Sequence, residues 1–195
     1  QVVTTIADQV DRLTVVQRQP HWVAPGIGVS DPVPADERWT LANIPYYHQW
    51  FRLRTYWFQS DNNYGKARID PSWAATHELS TSAENDVLLQ VCLRYLDAHF
   101  GDDPEMRAKL TPDFPPYAKR IVKDPGFFDA LKRPNVQLES GTVVRTTETG
   151  VVLSTGEEVP CDVLVLATGF QLEYLTMLDI VGRDGSTLAE TWGDD

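Results

Sequence analysis

Three places in this sequence carry residue types whose position could do chemistry. Arg18 closes a short, Val-rich run, Arg12–Arg18 (RLTVVQR). In dinucleotide folds the adenosine ribose lies over such a strand end; an acidic residue there suits NAD, whereas an arginine suits the 2′-phosphate of NADP. The guanidinium fork matches phosphate oxygens in pairs. An exposed arginine that simply ends a strand is the plainer alternative. Lys119 and Arg120, with Lys123 close by, stand just after a Pro-rich junction in an otherwise acidic chain. Two adjacent cations at such a boundary can bind phosphate or stabilise a developing anion, or they can be a solvated turn. The third place is Asp162–Phe170 (DVLVLATGF), where Gly169 follows an apolar run. A glycine there lets backbone approach a ligand closely, or simply makes a tight strand exit.

The elements that must position these residues follow from periodicity. Residues 1–11 pattern as an amphipathic helix, with Val2, Val3, Ile6 and Val10 apolar, and the Arg12–Arg18 strand follows closely. Helix then strand is half of a βαβ crossover. His21–Asp36 is a Pro- and Gly-rich connector. Its Gly26 and Gly28 mimic a dinucleotide fingerprint, but Asp31 stands where the third glycine belongs, so it reads as a loop. From Glu37 to Leu110 the texture is helical. Ile44–Gln59 and Ala83–Phe100 are the helices, Asp61–Ser72 is a loop between them, and Ser82, Glu84 and Asn85 offer capping chemistry. The aromatic stripe Tyr46, Tyr47, Trp50, Phe51, Tyr56, Trp57 and Phe58 reads as core at this spacing rather than as a substrate pocket.

Beyond Pro112, Pro115 and Pro116 the period changes to that of strands. Phe127–Lys132 is a short helix and Asn135–Glu139 a strand. Thr142–Thr147, Val151–Ser154 and Glu158–Cys161 form a small antiparallel meander. Asp162–Ala167 reads as a strand covered on both faces, and Leu172–Asp195 is weakly patterned. The fold class is therefore α/β, as an α+β mixture: a partial Rossmann-like NAD(P)-binding domain with a large helical insertion and a small β-meander.

Composition removes several function classes. The net charge of -11 argues against nucleic-acid binding, which rests on clustered cations. There is neither an 18-residue apolar run nor a charged leader before an apolar stretch, so neither a membrane span nor a signal peptide is visible, and no membrane partner is expected. His21, His48, His77 and His99 have no metal-ligand spacing, and His48 and His99 read as surface or capping residues. Cys92 and Cys161 lie far apart and read as reduced thiols of a cytosolic protein, with one distant disulfide as the alternative.

The runs LTVVQRQPHWVAP (Leu13–Pro25), FPPYAKRIVKDPGFFDALKRPNVQL (Phe114–Leu138) and CDVLVLATGF (Cys161–Phe170) resemble, in order and spacing, successive segments of Baeyer–Villiger monooxygenases. The segment YYHQWFRLRTYWF (Tyr46–Phe58) looks most like their 4-hydroxyacetophenone monooxygenase branch. The resemblance implies that Arg18 and Lys119 hold the NADPH 2′-phosphate, with Gln19 in a place where relatives carry a phosphate-touching Thr. It implies that Arg120 is the catalytic arginine, facing the anionic oxygenated flavin and the nicotinamide. Thr168 and Gly169 would lie near the linkers between the nucleotide domains.

By the same resemblance the full enzyme uses FAD, NADPH and O2 to insert oxygen beside a ketone carbonyl. Residues 1–36 and 113–170 would belong to the NADPH domain, 37–112 to a helical insertion, and 171–195 to the returning FAD domain. The family's glycine fingerprints for FAD and NADPH do not occur in these 195 residues. The expectation is thus a piece of a longer enzyme, inactive alone, with apolar surface exposed and prone to self-association. Sulfur or nitrogen oxygenation, and a non-catalytic helical interaction module, are the competing readings.

Overall fold

The computed structural model describes residues 2–26, 32–169 and 178–192. Gly28, Asp31 and Phe170 lie outside the described residues, as does much of the stretch from Leu172 onward. The chain divides into two compact units, residues 1–159 and 160–195.

The first unit opens with α1 (Val2–Ile6), shorter than the 1–11 helix the apolar spacing predicts. The expected strand follows as β1 (Leu13–Gln17), parallel to β4 (Val136–Ser140), with Leu13 opposite Val136 and Gln17 opposite Ser140. Asn135 ties this pair to the preceding loop, its Nδ2 donating to the Ala7 and Val10 carbonyls at 2.8 and 2.9 Å. The connector expected from His21 onward is not wholly loop. Val23–Pro25 is β2, parallel to β3 (Val122–Asp124). Three residues carry too little periodicity to show a strand, and the partner that stabilises it lies about a hundred residues away. Gly26 has a packing reason rather than a phosphate-binding one, since a Cβ there would sit 2.0 Å from the Asp124 carbonyl oxygen.

Between these strands lies the helical stretch: α2 (Ala35–Asn43), α3 (Tyr47–Ala67), α4 (Pro71–Ala74), α5 (Ala83–Phe100) and α6 (Pro104–Leu110). Helix α3 runs through most of the predicted Asp61–Ser72 loop, because Asn62, Asn63 and Gly65 weaken a helix without stopping it. Asp70 then starts α4, its carboxylate accepting from the Ser72 and Trp73 amides.

Helix α5 is the organising element. Ser82 caps it, Oγ accepting from the Asn85 amide at 3.1 Å, and Glu84 and Asp86 favour its positive end. Leu89 and Cys92 pack with Trp22 and Ala24, while Leu96 and Phe100 pack with Val23, Phe128, Val136 and Leu138. Alternate residues around β2 therefore enter two clusters, and α5 spans both. Each such Leu, Val or Phe side chain contributes about 1.5–3 kcal/mol by leaving water.

The aromatic stripe is not core. Trp50, Tyr56, Trp57 and Phe58 are 61–71% exposed and Tyr46 is 73% exposed. Amphipathic spacing requires that a face be covered, but it does not say by what, and no described residue covers this one.

The short helix after the Pro-rich junction is α7 (Phe127–Leu131). The meander forms as expected from β5 (Val143–Thr146), β6 (Gly150–Leu153) and β7 (Glu158–Pro160), in that order, with β5 and β6 antiparallel.

In the second unit the expected strand Asp162–Ala167 is absent. The segment pairs with no described strand, and Val163, Leu164, Val165 and Leu166 are exposed. An apolar run becomes a strand only where neighbours supply its ladder bonds. Further on, Val181 bridges Thr187, and α8 (Leu188–Trp192) begins with a reciprocal cap. The Thr187 Oγ1 accepts from the Glu190 amide while the Glu190 carboxylate accepts from the Thr187 amide.

Candidate functional site

The end of β1 is held from two sides. The Gln17 carbonyl accepts from the Gly141 amide at 2.9 Å, and its side-chain Nε2 donates to the Lys109 carbonyl at 2.8 Å. That second bond satisfies a carbonyl that the last turn of α6 leaves over. The chain then bends outward with Arg18 exposed. An open depression of about 580 Å³ lies here, lined by Arg18, Gln19, Lys109, Thr111, Asp113 and Ser140 among others.

The segment carrying the other cations is pinned at several points. The Trp22 indole N–H donates to the Phe114 carbonyl at 2.6 Å. The Ala118 amide donates to the Pro115 carbonyl at 3.1 Å, closing a turn with Pro116 and Tyr117 at its centre. Proline suits the first central position, but the second normally takes glycine because φ is positive there. Tyr117 occupies it with φ of 67°, a conformation that costs a bulky residue about 1–3 kcal/mol. The turn delivers Lys119 to Gln19. The Lys119 ammonium donates to Gln19 Oε1 and lies 4.9 Å from the centre of the Phe114 ring. Gln19 Nε2 in turn donates to Asp113 Oδ1 at 3.1 Å. A carboxylate on one side and an ammonium on the other thus fix which way the amide faces.

Four of the expected site residues therefore share one locality. Arg18 and Gln19 leave β1, Lys119 is hydrogen-bonded to Gln19, and Arg120 follows Lys119 into β3. Arg18 and Arg120 are exposed, and neither pairs with a carboxylate among the described residues. Thr168 and Gly169 lie in the second unit. Both are exposed, and Gly169 has φ of 94° with open space where a Cβ would stand.

Partial desolvation, and then the charge of Lys119, hold the His21 imidazole below its usual 6.5. A neutral ring edge-on to Phe114 leaves Lys119 without a competing cation from that side. Burial pushes the Cys92 thiol up to about 11, so it is no nucleophile at neutral pH. Both cysteines are free. Burial and the bond to Asp124 raise the Tyr95 phenol. Its hydroxyl donates to Asp124 Oδ2 at 3.0 Å, and the same carboxylate accepts from the Gly126, Phe127 and Phe128 amides at the start of α7.

Sequence reasoning missed three of these residues. Asp113 left no local signal. Asp124 could have been found, since Asp-Pro-Gly before a Phe-Phe pair is capping chemistry. Asn85 reads as one more helix-start residue, yet it is fully buried and bonds three separate segments.

The locality can hold a phosphate. Arg18, Gln19 and Lys109 line an open depression at the end of a parallel strand, and Lys119 is hydrogen-bonded to Gln19 at its side. No family model matches the chain. Similarity to individual proteins is clear. The chain is 31% identical over 196 residues to an uncharacterized monooxygenase of Sinorhizobium fredii, covering 100% of this chain and 30% of that protein. It is 32% identical over 199 residues to a Baeyer-Villiger monooxygenase of Streptomyces coelicolor, covering 98% and 34%. Its homologues and structural neighbours are Baeyer–Villiger and other flavin monooxygenases. It spans about a third of the length of these two relatives. An oxidized steroid monooxygenase bound to NADP superimposes on it with a TM-score of 0.68 at 27% identity, over 98% of this chain and 41% of the other. The mixed α/β architecture matches part of a flavin monooxygenase. Among the described residues no helix is long and apolar enough to cross a membrane.

Proposed function

We propose that these residues serve an FAD- and NADPH-dependent monooxygenase that inserts one oxygen atom of O2 beside a ketone carbonyl, giving an ester or lactone. The observation that carries the reading is the Lys119–Gln19 hydrogen bond, which joins residues 100 apart in sequence at the end of β1. It brings an ammonium to the strand end where Arg18 already stands, and a 2′-phosphate needs both. Arg18 and Lys119 bind that phosphate, and Gln19 donates to it through the second Nε2 hydrogen, the first being given to Asp113. Asp113 holds the Gln19 amide in place through that first hydrogen.

FAD, when bound, supplies the activation of oxygen, and NADPH the hydride. Arg120 contributes a fixed positive charge that cannot be lost as a proton at working pH. Such a charge stabilises anionic character developing next to it in a water-poor site. Within this reading residues 1–36 and 113–170 belong to the NADPH domain, 37–112 to a helical insertion, and 171–195 to the returning FAD domain. Thr168 and Gly169 stand near the domain linkers, the location is cytosolic, and the chain alone does not turn over. The aromatic segment Tyr46–Phe58 supports placement near the 4-hydroxyacetophenone branch. Its exposure also supports self-association of the isolated chain.

The test uses the full-length enzyme. Arg18→Ala and Lys119→Ala are expected to raise the KM for NADPH roughly ten- to a hundredfold, as loss of a charge-assisted contact does, with little change for NADH. Arg120→Ala and Arg120→Lys are expected to abolish ester formation while FAD binding and slow NADPH oxidation persist. Equal effects of the first pair on both cofactors would remove them from the phosphate site. Near-normal ester yield in Arg120→Ala would end the catalytic assignment.

A further inference from the structure

The three pins on the Lys119–Arg120 segment are unequal. Trp22 and Gln19 reach it from the strand side, whereas Asn85 reaches it from the helical side. The Asn85 side chain is fully buried. Its two N–H groups are both used: one donates to the Lys66 carbonyl in the last turn of α3 at 2.7 Å, the other to the Pro116 carbonyl at 2.8 Å. Its Oδ1 accepts from the Thr81 amide at 3.1 Å. A neutral amide of this length is the side chain that gives two donors and an acceptor from one buried point. Aspartate would bring a buried negative charge against two carbonyls, and serine would leave one carbonyl unmet.

The Pro116 carbonyl lies in the turn where Tyr117 takes φ of 67°. A residue held in that region persists only where its surroundings over-determine it. Asn85 bonds the carbonyl immediately before Tyr117, and burial of Pro112 and Pro116 closes the rest. Two residues later the chain delivers Lys119 to Gln19. We infer that Asn85 is a positioning residue for the Lys119–Arg120 pair: through the Pro116 carbonyl it sets where the Lys119 ammonium meets the cofactor phosphate, and through the Lys66 carbonyl it ties that position to the end of α3. The inference rests on the cofactor reading above. It adds a residue of the helical stretch that touches no cofactor.

The experiment compares Asn85→Ala, Asn85→Ser and Lys119→Ala in the full-length protein. NADP+ and NAD+ binding is measured by calorimetry, and KM for NADPH and NADH by steady-state kinetics. A residue that only supports the fold would lower the active fraction and leave the ratio of the two affinities unchanged. A positioning residue shifts that ratio. The expected result is a loss of NADP+ affinity of roughly three- to tenfold with NAD+ affinity retained, smaller than for Lys119→Ala because the cation is displaced rather than deleted. Asn85→Ser, which keeps one donor, should fall between wild type and Asn85→Ala.

A folded Asn85→Ala with an unchanged ratio would overturn the inference. If Asn85→Ala does not fold, Tyr117→Gly decides. Glycine accepts the positive φ but frees the turn, so a shifted ratio supports the positioning role and an unshifted one overturns it. If Lys119→Ala itself leaves the ratio unchanged, the cofactor reading fails and takes this inference with it. A shift in Lys119→Ala without one in the Asn85 variants refutes the Asn85 role alone.

Discussion

Helices α5 and α3 look alike in sequence and differ in every way that matters to stability. Both are long, both repeat apolar residues at three- and four-residue intervals, and both lie between β1 and β4. In α5 the stripe Leu89, Cys92, Leu96 and Phe100 is buried against two strand-borne clusters. In α3 Trp50, Leu53, Tyr56, Trp57 and Phe58 remain exposed. The starts differ too. Ser82 caps α5 with its hydroxyl, whereas Tyr46 precedes α3 with φ of 60° and no side-chain cap. Periodicity therefore reports which face of a helix wants cover, and only contacts report whether it has any.

The two helices should differ most under large-to-small substitution. Phe100→Ala should cost about 3–5 kcal/mol, because it empties a site between Tyr95, Phe128 and the strands. Trp50→Ala on the solvent face of α3 should stay within about 0.5 kcal/mol. Urea unfolding of the two variants measures both. Comparable losses would mean that the α3 face is covered in solution. The same Trp50→Ala change, combined with Tyr56→Ala and Trp57→Ala, should weaken concentration-dependent association in sedimentation runs, since exposed aromatic area drives it.

The helix starts give the next largest effects. Ser82→Ala removes the side-chain acceptor of the Asn85 backbone N–H and should cost ~1 kcal/mol. Tyr46→Asn should go the other way by about 0.5 kcal/mol, because asparagine tolerates the left-handed region and caps helices. Thermal unfolding of the pair settles the sign of each. If both destabilise equally, α3 depends on Tyr46 for something beyond its backbone.

The smallest effect is a pH dependence on the α5 side, where His21 lies edge-on to Phe114. Its folded pKa is below its usual 6.5. The unfolded chain therefore takes up the proton first as pH falls. Stability is unaffected well above 6.5. It declines as pH drops through that value, and levels off once the lowered folded pKa is passed. His21→Gln should flatten this decline in denaturant midpoints measured from pH 8 to pH 5. An unaltered profile would assign the pH response to other groups.

The residues themselves determined a good deal. The β1 and β4 strands, the α5 helix with its cap, the short helix at Phe127 and the meander were all legible, because each is settled by local spacing and turn chemistry. The cationic residues Arg18, Lys119 and Arg120 could also be named from their types and neighbours. Strand-end position suggested the role proposed for Arg18, and resemblance to the monooxygenase family those proposed for Lys119 and Arg120. What depended on partners distant in the chain was not legible. The three-residue β2 exists because β3 pairs with it, and Asp162–Ala167 forms no strand because no described strand supplies its ladder. Asp113 became part of the site only when folding put its carboxylate on Gln19. Asn85 passed for a capping residue until three segments closed around its amide. A hydrogen bond or a covered face is a relation between two surfaces. One strand of sequence shows each surface, and tertiary structure alone decides which of them meet.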